Sequence, residues 1–236
     1  MKKNIINFIL RPLKKILLNP NFRYSNNFKG LELNPREKML KLAMQYAVAS
    51  KLDGDYLEFG VYKGDTFSAA YHLARFSGPI AMKFMAFDSF SGLPEIKGVD
   101  NEFKQYDQGQ YAYGIENFKK NILKRGVDLK KVEIIPGWFD QSLNRELAGK
   151  IKLVSAAIIW IDCDLYESTL PVLDFIKDFL QDGTIIIFDD WFCFRGHPDR
   201  GERRAFREWL EKNQEFTASE FQKFGWHGNS FIISKD

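Results

Sequence analysis

Two runs of the chain, Ala156 to Asp162 and Thr184 to Asp189, are almost wholly apolar until each ends in acidic residues, Asp162-Cys163-Asp164 and Asp189-Asp190. A strand that is apolar at every position, rather than at alternate ones, has to be covered on both faces. That is the pattern of a parallel sheet held between helices. Between the two runs, Val172, Phe175, Ile176 and Phe179 form a helical stripe that Asp182-Gly183 closes. Open parallel sheets bind ligands in the crevice beyond the carboxyl ends of their strands. Two acidic ends side by side would gather carboxylates there, in a place suited to a hard cation.

The same alternation runs through the rest of the chain. Asp55 to Gly60 reads as a strand ending in a glycine turn, and Phe67, Ala70, Tyr71 and Ala74 mark the helix after it. Met82 to Asp88 and Lys131 to Pro136 are further strands, the latter preceded by a helix near Gly114 to Arg125. The polar, aromatic segment Ser89 to Tyr113 lacks periodicity and is long for a connection, which makes it a candidate lid or substrate loop. Upstream, Asn34-Pro35-Arg36-Glu37 has a helix-start arrangement. Near the end, after a charged helix over Glu202 to Lys212, Phe216 to Phe224 and Asn229 to Ser234 flank Gly225-Trp226-His227-Gly228 as a β-hairpin. Strands alternating with helices imply an α/β, doubly wound, mostly parallel sheet.

With 236 residues, 45% of them hydrophobic, the chain can bury a full core. It reads as one domain, 34–236, behind an N-terminal arm and linker, 1–33. The arm mixes an apolar face with Lys2, Lys3, Arg11, Lys14 and Lys15, which break any membrane-spanning run. It suits an anionic membrane surface, but Pro12 interrupts the helix, and packing on its own domain or on a partner in a homodimer is the favoured reading. The formal net charge of +3 and the lack of a basic, aromatic-interleaved stripe speak against nucleic acid as a partner. Cys163 and Cys193 do not form a spaced disulfide framework, so a reducing, cytoplasmic location is expected.

Glu58-Phe-Gly-Val-Tyr-Lys-Gly64 places two glycines at a strand-to-helix turn, without the G-x-G-x-x-G of dinucleotide binders. An acidic residue just before the glycine suits S-adenosylmethionine, with its amino group and sulfonium, better than a pyrophosphate. Asp88 stands where doubly wound folds hydrogen-bond a ribose. Asp189 and Asp190 repel each other unless a cation or a basic side chain sits between them, and Arg195, Arg200, Arg203 and Arg204 follow closely. Asp162 favours metal binding, whereas Asp164 favours capping the helix that begins near Tyr166. His197 lies in a loop, either solvated or as a second acid/base group, and a zinc site from Cys163, Cys193 and His197 matches no common spacing. Trp191, Tyr106, Tyr111 and Tyr113 are candidate substrate contacts.

Five segments, Glu58 to Gly64, Phe87-Asp-Ser-Phe-Ser-Gly-Leu-Pro94, Pro136-Gly-Trp-Phe139, Ile161-Asp-Cys-Asp-Leu-Tyr-Glu-Ser-Thr169 and Phe188-Asp-Asp-Trp191, resemble in order the motifs of the macrocin O-methyltransferase family. The resemblance implies a class I methyltransferase of Rossmann-like type, with a seven-stranded sheet and a C-terminal β-hairpin, dependent on S-adenosylmethionine and Mg²⁺. The acceptor it implies is a hydroxyl on the sugar of a natural product. It further implies that Glu58 and Gly60 line the methionine end, that Asp88 holds the ribose beside Ser89, and that Asp162, Asp189 and Asp190 bind the metal, with Asp162 as base. Phe59, Gly64, Gly137 and Trp138 within these segments, and Thr66 just after the first, complete the predicted cofactor site, with His197 the second candidate catalytic group. A neutral hydroxyl is a poor nucleophile, so a metal and a carboxylate base are what the chemistry asks for. The same logic would serve a catechol or phenol acceptor, and a non-catalytic, membrane-associated module of this fold is the alternative outside enzymes.

Overall fold

A computed structural model describes residues 32–77 and 82–235. Most of the N-terminal arm therefore lies outside the described residues, as do the membrane and dimer roles expected of it. Helix α1 (Pro35–Ala49) starts as its sequence dictates. Asn34 Oδ1 accepts from Glu37 N at 2.9 Å while Glu37 Oε2 accepts from Asn34 N at 2.9 Å, so two amides that the helix leaves open are satisfied reciprocally. The chain then runs β1 (Asp55–Phe59), α2 (Asp65–Ser77), β2 (Phe84–Asp88), α3 (Ile115–Lys124), β3 (Val132–Pro136), the short α4 (Phe139–Ser142) and α5 (Arg145–Ile151). It continues through β4 (Ala156–Ile161), α6 (Tyr166–Ile176), β5 (Ile185–Phe188), α7 (Gly201–Lys212), β6 (Phe216–Glu220) and β7 (Asn229–Lys235).

The strands form one sheet of order β3-β2-β1-β4-β5-β7-β6. Pairing is parallel from β3 to β5, and β7 runs antiparallel to both β5 and β6, so the expected hairpin closes the sheet. Every residue of β4 and β5 is buried, as their unbroken apolar runs require. Ile158, Trp160, Ile185 and Ile187 pack toward the layer holding α1 and α2, while Ile159, Ile161, Ile186 and Phe188 pack toward α6 and α7. No helix among the described residues is long and apolar enough to cross a membrane.

The strand order reverses between β1 and β4, which opens a crevice at their carboxyl ends. The register aligns those ends, with Phe59 opposite both Phe87 and Ile161, and Ile161 opposite Phe188. Hydrogen bonding continues one residue further. Gly60 N donates to Phe87 O at 2.8 Å, Asp162 N to Phe59 O at 2.8 Å and Asp189 N to Ile161 O at 2.9 Å. The glycine turn and the acidic strand ends thus stand at one level. The long segment after β2 is folded back, with Leu93 N donating to Gln110 O and Gly109 N to Leu93 O, both at 2.9 Å.

Candidate active site

A cavity of about 1130 Å³ lies over the crevice, lined among others by Glu58, Gly60, Thr66, Asp88, Ser89, Gly137, Trp138, Asp162, Asp164 and Asp190. Its volume exceeds that of a usual small-molecule pocket, so it has room for a cofactor and an acceptor together. Several expected residues lie elsewhere. Phe59 is fully buried and stacks on Phe87 at 4.5 Å, and Gly64 is packed against Phe118 and Ile122. His197 sits on an exposed loop, where its Nδ1 accepts from Asp199 N at 3.1 Å, and it is not part of the cavity wall.

The glycine turn is shaped by its neighbours. Gly60 has φ +86°, and a Cβ there would lie 1.9 Å from the carbonyl oxygen of Asp162. The residue is glycine because β4 passes against it, rather than only to admit a ligand. Asp88 Oδ2 accepts from Val61 N at 2.8 Å and Tyr62 N at 3.1 Å, and its Oδ1 accepts from Phe90 N at 2.6 Å. These bonds pin the turn to the end of β2. Burial nevertheless raises the Asp88 carboxyl above its ordinary pKa. Glu58, also buried, accepts from the Tyr56 hydroxyl, and burial holds it well above the usual carboxylate range.

Beyond β4 and β5, Asp162, Asp164 and Asp190 each offer an oxygen within 4.8 Å of the others. Asp164 does not cap α6: Tyr166 N donates instead to Asp100 Oδ2 at 2.6 Å. Asp164 has φ +59°, a left-handed conformation in which short polar residues are at home, and its side chain joins the cluster. Asp190 Oδ1 accepts from the Cys193 thiol at 3.1 Å and the Tyr106 hydroxyl at 3.3 Å, whereas its buried Oδ2 has no partner among the described residues. Burial and mutual repulsion push all three carboxyls up. Oxygen-only donors, close spacing and an orphaned buried oxygen together fit a hard divalent cation.

Asp189 leaves this group. Its fully buried carboxylate is gripped by Arg36 of α1, with Nε at 2.8 Å and 3.0 Å from the two oxygens and Nη2 closing the fork. The basic side chain that separates the paired aspartates thus comes from 153 residues upstream, not from the arginines that follow them. Arg200 pairs with Glu102 and Arg204 with Glu208, Arg203 donates to the Gly196 carbonyl, and Arg195 lies over the Phe103 ring. His227 approaches from the hairpin, its Nδ1 2.6 Å from the Asp189 carbonyl oxygen.

The model for Macrocin-O-methyltransferase (TylF) matches residues 33–223. The chain belongs to this macrocin O-methyltransferase family. It is 30% identical, over 64% of its length and 58% of the relative's, to a tetracenomycin-C rhamnosyl 4'-O-methyltransferase of Streptomyces olivaceus. To the mycinamicin III 3''-O-methyltransferase of Micromonospora griseorubida it is 24% identical over 64% of this chain and 61% of the other. The matches thus span about three fifths of these relatives. In structure it resembles the O-methyltransferase NovP, with TM-score 0.73, 20% identity, and coverage of 85% of this chain and 80% of the other. The fold is that of class I O-methyltransferases.

Within this macrocin O-methyltransferase family member, several residues around the site escaped the sequence reading. Arg36 carried only a helix-start signal and Glu202 only its place in a charged helix, although Glu202 is fully buried. Asp100 is buried in the long loop, where its Oδ1 accepts from Gly201 N at 2.9 Å. Tyr106 serves Asp190 rather than standing free for a substrate, and Trp191 packs on Phe188 and Phe231. Tyr111 is 44% exposed on the cavity wall, while Tyr113 leans on Tyr62 at 5.8 Å and does not line the cavity.

Proposed function

We propose that the chain is an S-adenosylmethionine- and Mg²⁺-dependent O-methyltransferase acting on a hydroxyl of a sugar or glycosylated natural product. The observation that carries this reading is that Asp162, Asp164 and Asp190, with an orphaned oxygen among them, open on the same cavity as the glycine turn and Asp88. The name of the Streptomyces olivaceus relative, an O-methyltransferase of a rhamnosyl-bearing tetracenomycin, supports the acceptor class.

Glu58, Gly60, Thr66, Asp88, Ser89, Gly137 and Trp138 line the part of the cavity assigned to the cofactor. Asp88 fixes the turn through Val61 and Tyr62 and offers the remaining capacity of its carboxylate to a ribose. S-adenosylmethionine supplies an electrophilic methyl group. Asp162, Asp164 and Asp190 would hold the cation, with Asp189 kept apart by Arg36. A divalent cation held there supplies the positive charge that acidifies and orients an acceptor hydroxyl. Asp162, one of the clustered carboxylates, takes the hydroxyl proton on a side-chain oxygen. Tyr106 and Cys193 hold Asp190 in place from behind.

Calorimetric titration with S-adenosylhomocysteine, with and without Mg²⁺, tests the reading. Binding in both conditions, with heat from Mg²⁺ alone that disappears in Asp162→Asn, is expected. A protein that takes up neither ligand refutes it.

A further inference from the structure

The last hydrogen bond between β4 and β5 runs from Asp189 N to Ile161 O. Past it the strands separate into two turns, one closed by Leu165 N donating to Cys163 O at 2.6 Å and the other by Cys193 N donating to Asp190 O at 2.9 Å. These turns carry the clustered carboxylates, Asp162 and Asp164 on one and Asp190 on the other. The amides of Cys163 and Asp190 no longer reach a neighbouring strand. Both point instead at one side chain: Glu202 Oε1 accepts from Cys163 N at 3.1 Å and Oε2 from Asp190 N at 2.9 Å.

Glu202 is fully buried in the first turn of α7, and among the described residues its bonds go to these two backbone amides and to no side-chain cation. A buried carboxylate without a cationic partner is costly and needs a structural reason. Its position supplies one, because a two-oxygen acceptor is the simplest group that can answer two N–H donors. Asp100 locks the same helix start, accepting from Gly201 N and from Tyr166 N of α6, so the strut is itself held rigidly.

We infer that Glu202 is a positioning residue that bridges the two strand-end turns and sets the separation of Asp162 and Asp164 from Asp190 for a divalent cation. The inference rests on the metal reading above. It makes Glu202 an outer-layer determinant of cation affinity that touches neither cofactor nor acceptor. The chemistry also dictates which replacement is informative. In Glu202→Gln one oxygen remains to accept, but the amide nitrogen presents donors to the second backbone donor, so one anchor is lost while size is kept. Glu202→Asp is shorter by one methylene, which draws both carboxylate oxygens back from the two amides.

The test uses Mn²⁺ as probe, titrated by electron paramagnetic resonance into the full chain, with S-adenosylhomocysteine binding followed separately by calorimetry. In Glu202→Gln and Glu202→Asp the Mn²⁺ dissociation constant should rise about 10- to 100-fold, the usual effect of removing an outer support, with the affinity for S-adenosylhomocysteine unchanged. Unaltered Mn²⁺ affinity in the folded variants overturns the inference, as does a parallel loss of both ligands. Wild-type protein that binds no Mn²⁺ overturns the metal reading itself. Should neither variant fold, amide hydrogen exchange of ¹⁵N-labelled wild type decides: the Cys163 and Asp190 amides should be protected in EDTA as they are in Mg²⁺, and amides that exchange freely without metal refute the bridge.

Discussion

Gly60→Ala tests how closely the glycine turn and the acidic strand end are built together. At φ +86° an alanine incurs about 1–2 kcal/mol of conformational strain. Its Cβ would also lie 1.9 Å from the Asp162 carbonyl oxygen, a backbone atom at the end of a central strand that cannot swing aside. Relieving such an overlap costs about 1–3 kcal/mol more. The sum, about 2–5 kcal/mol, corresponds to a fall in Tm of about 4–20 °C for a domain of this size. Gly109→Ala is the internal control, since φ is +75° there but a Cβ meets nothing within 4 Å. It should lose only about 1–2 kcal/mol. Urea denaturation of both variants, read by circular dichroism, gives the two losses. Equal losses would refute the close approach, and a Gly60→Ala protein as stable as wild type would refute the turn geometry altogether.

Asp162→Asn should abolish methyl transfer while leaving S-adenosylhomocysteine binding intact by calorimetry; retained turnover would remove Asp162 from the chemistry. Asp162, Asp164 and Asp190 have folded-state pKa values raised above the ordinary carboxylate range. In EDTA the folded protein therefore binds more protons than the unfolded chain once pH rises above about 4, and their contribution to stability falls from there upward. Thermal melts in EDTA should show Asp162→Asn gaining on wild type as pH rises from 4 to 8, with Mg²⁺ reversing the trend; a pH-independent difference contradicts the cluster. Arg36→Met leaves the buried Asp189 carboxylate uncompensated. Because the Arg36 side chain is 45% exposed, the loss should be about 1–3 kcal/mol, less than for a wholly buried pair, measured by urea denaturation.

The sheet and its reactive edge were legible because period and composition report directly on burial. Two wholly apolar strands that run straight into acidic residues leave little choice but a covered parallel sheet, and the ends of such strands are where ligands collect. The partition of the carboxylates was not legible. Strand alternation says where a side chain points only while the strand continues, and Asp164 lies beyond it in a left-handed turn that returns its carboxylate to the cluster. Asp189 was removed from the cluster by Arg36, whose local sequence speaks only of a helix start. Glu202 and Asp100 stayed hidden for the same reason, since each bonds to backbone amides distant in sequence, and amides carry no residue-specific signal.

The way the long loop after β2 is fastened bears on how such a chain could change its acceptor. Asp100 is tied to the starts of α6 and α7, Gln105 Oε1 accepts from Phe194 N at 2.6 Å, Tyr106 reaches Asp190, and Leu93 is paired with Gly109 and Gln110. Beside these fastenings, Glu95, Lys97, Gln108 and Tyr111 face the cavity from short, exposed spans. Sequence can drift or be redesigned in those spans while the fastenings keep the acidic cluster in register. Innovation in what is recognised is thereby separated, along one loop, from preservation of how the reaction is run.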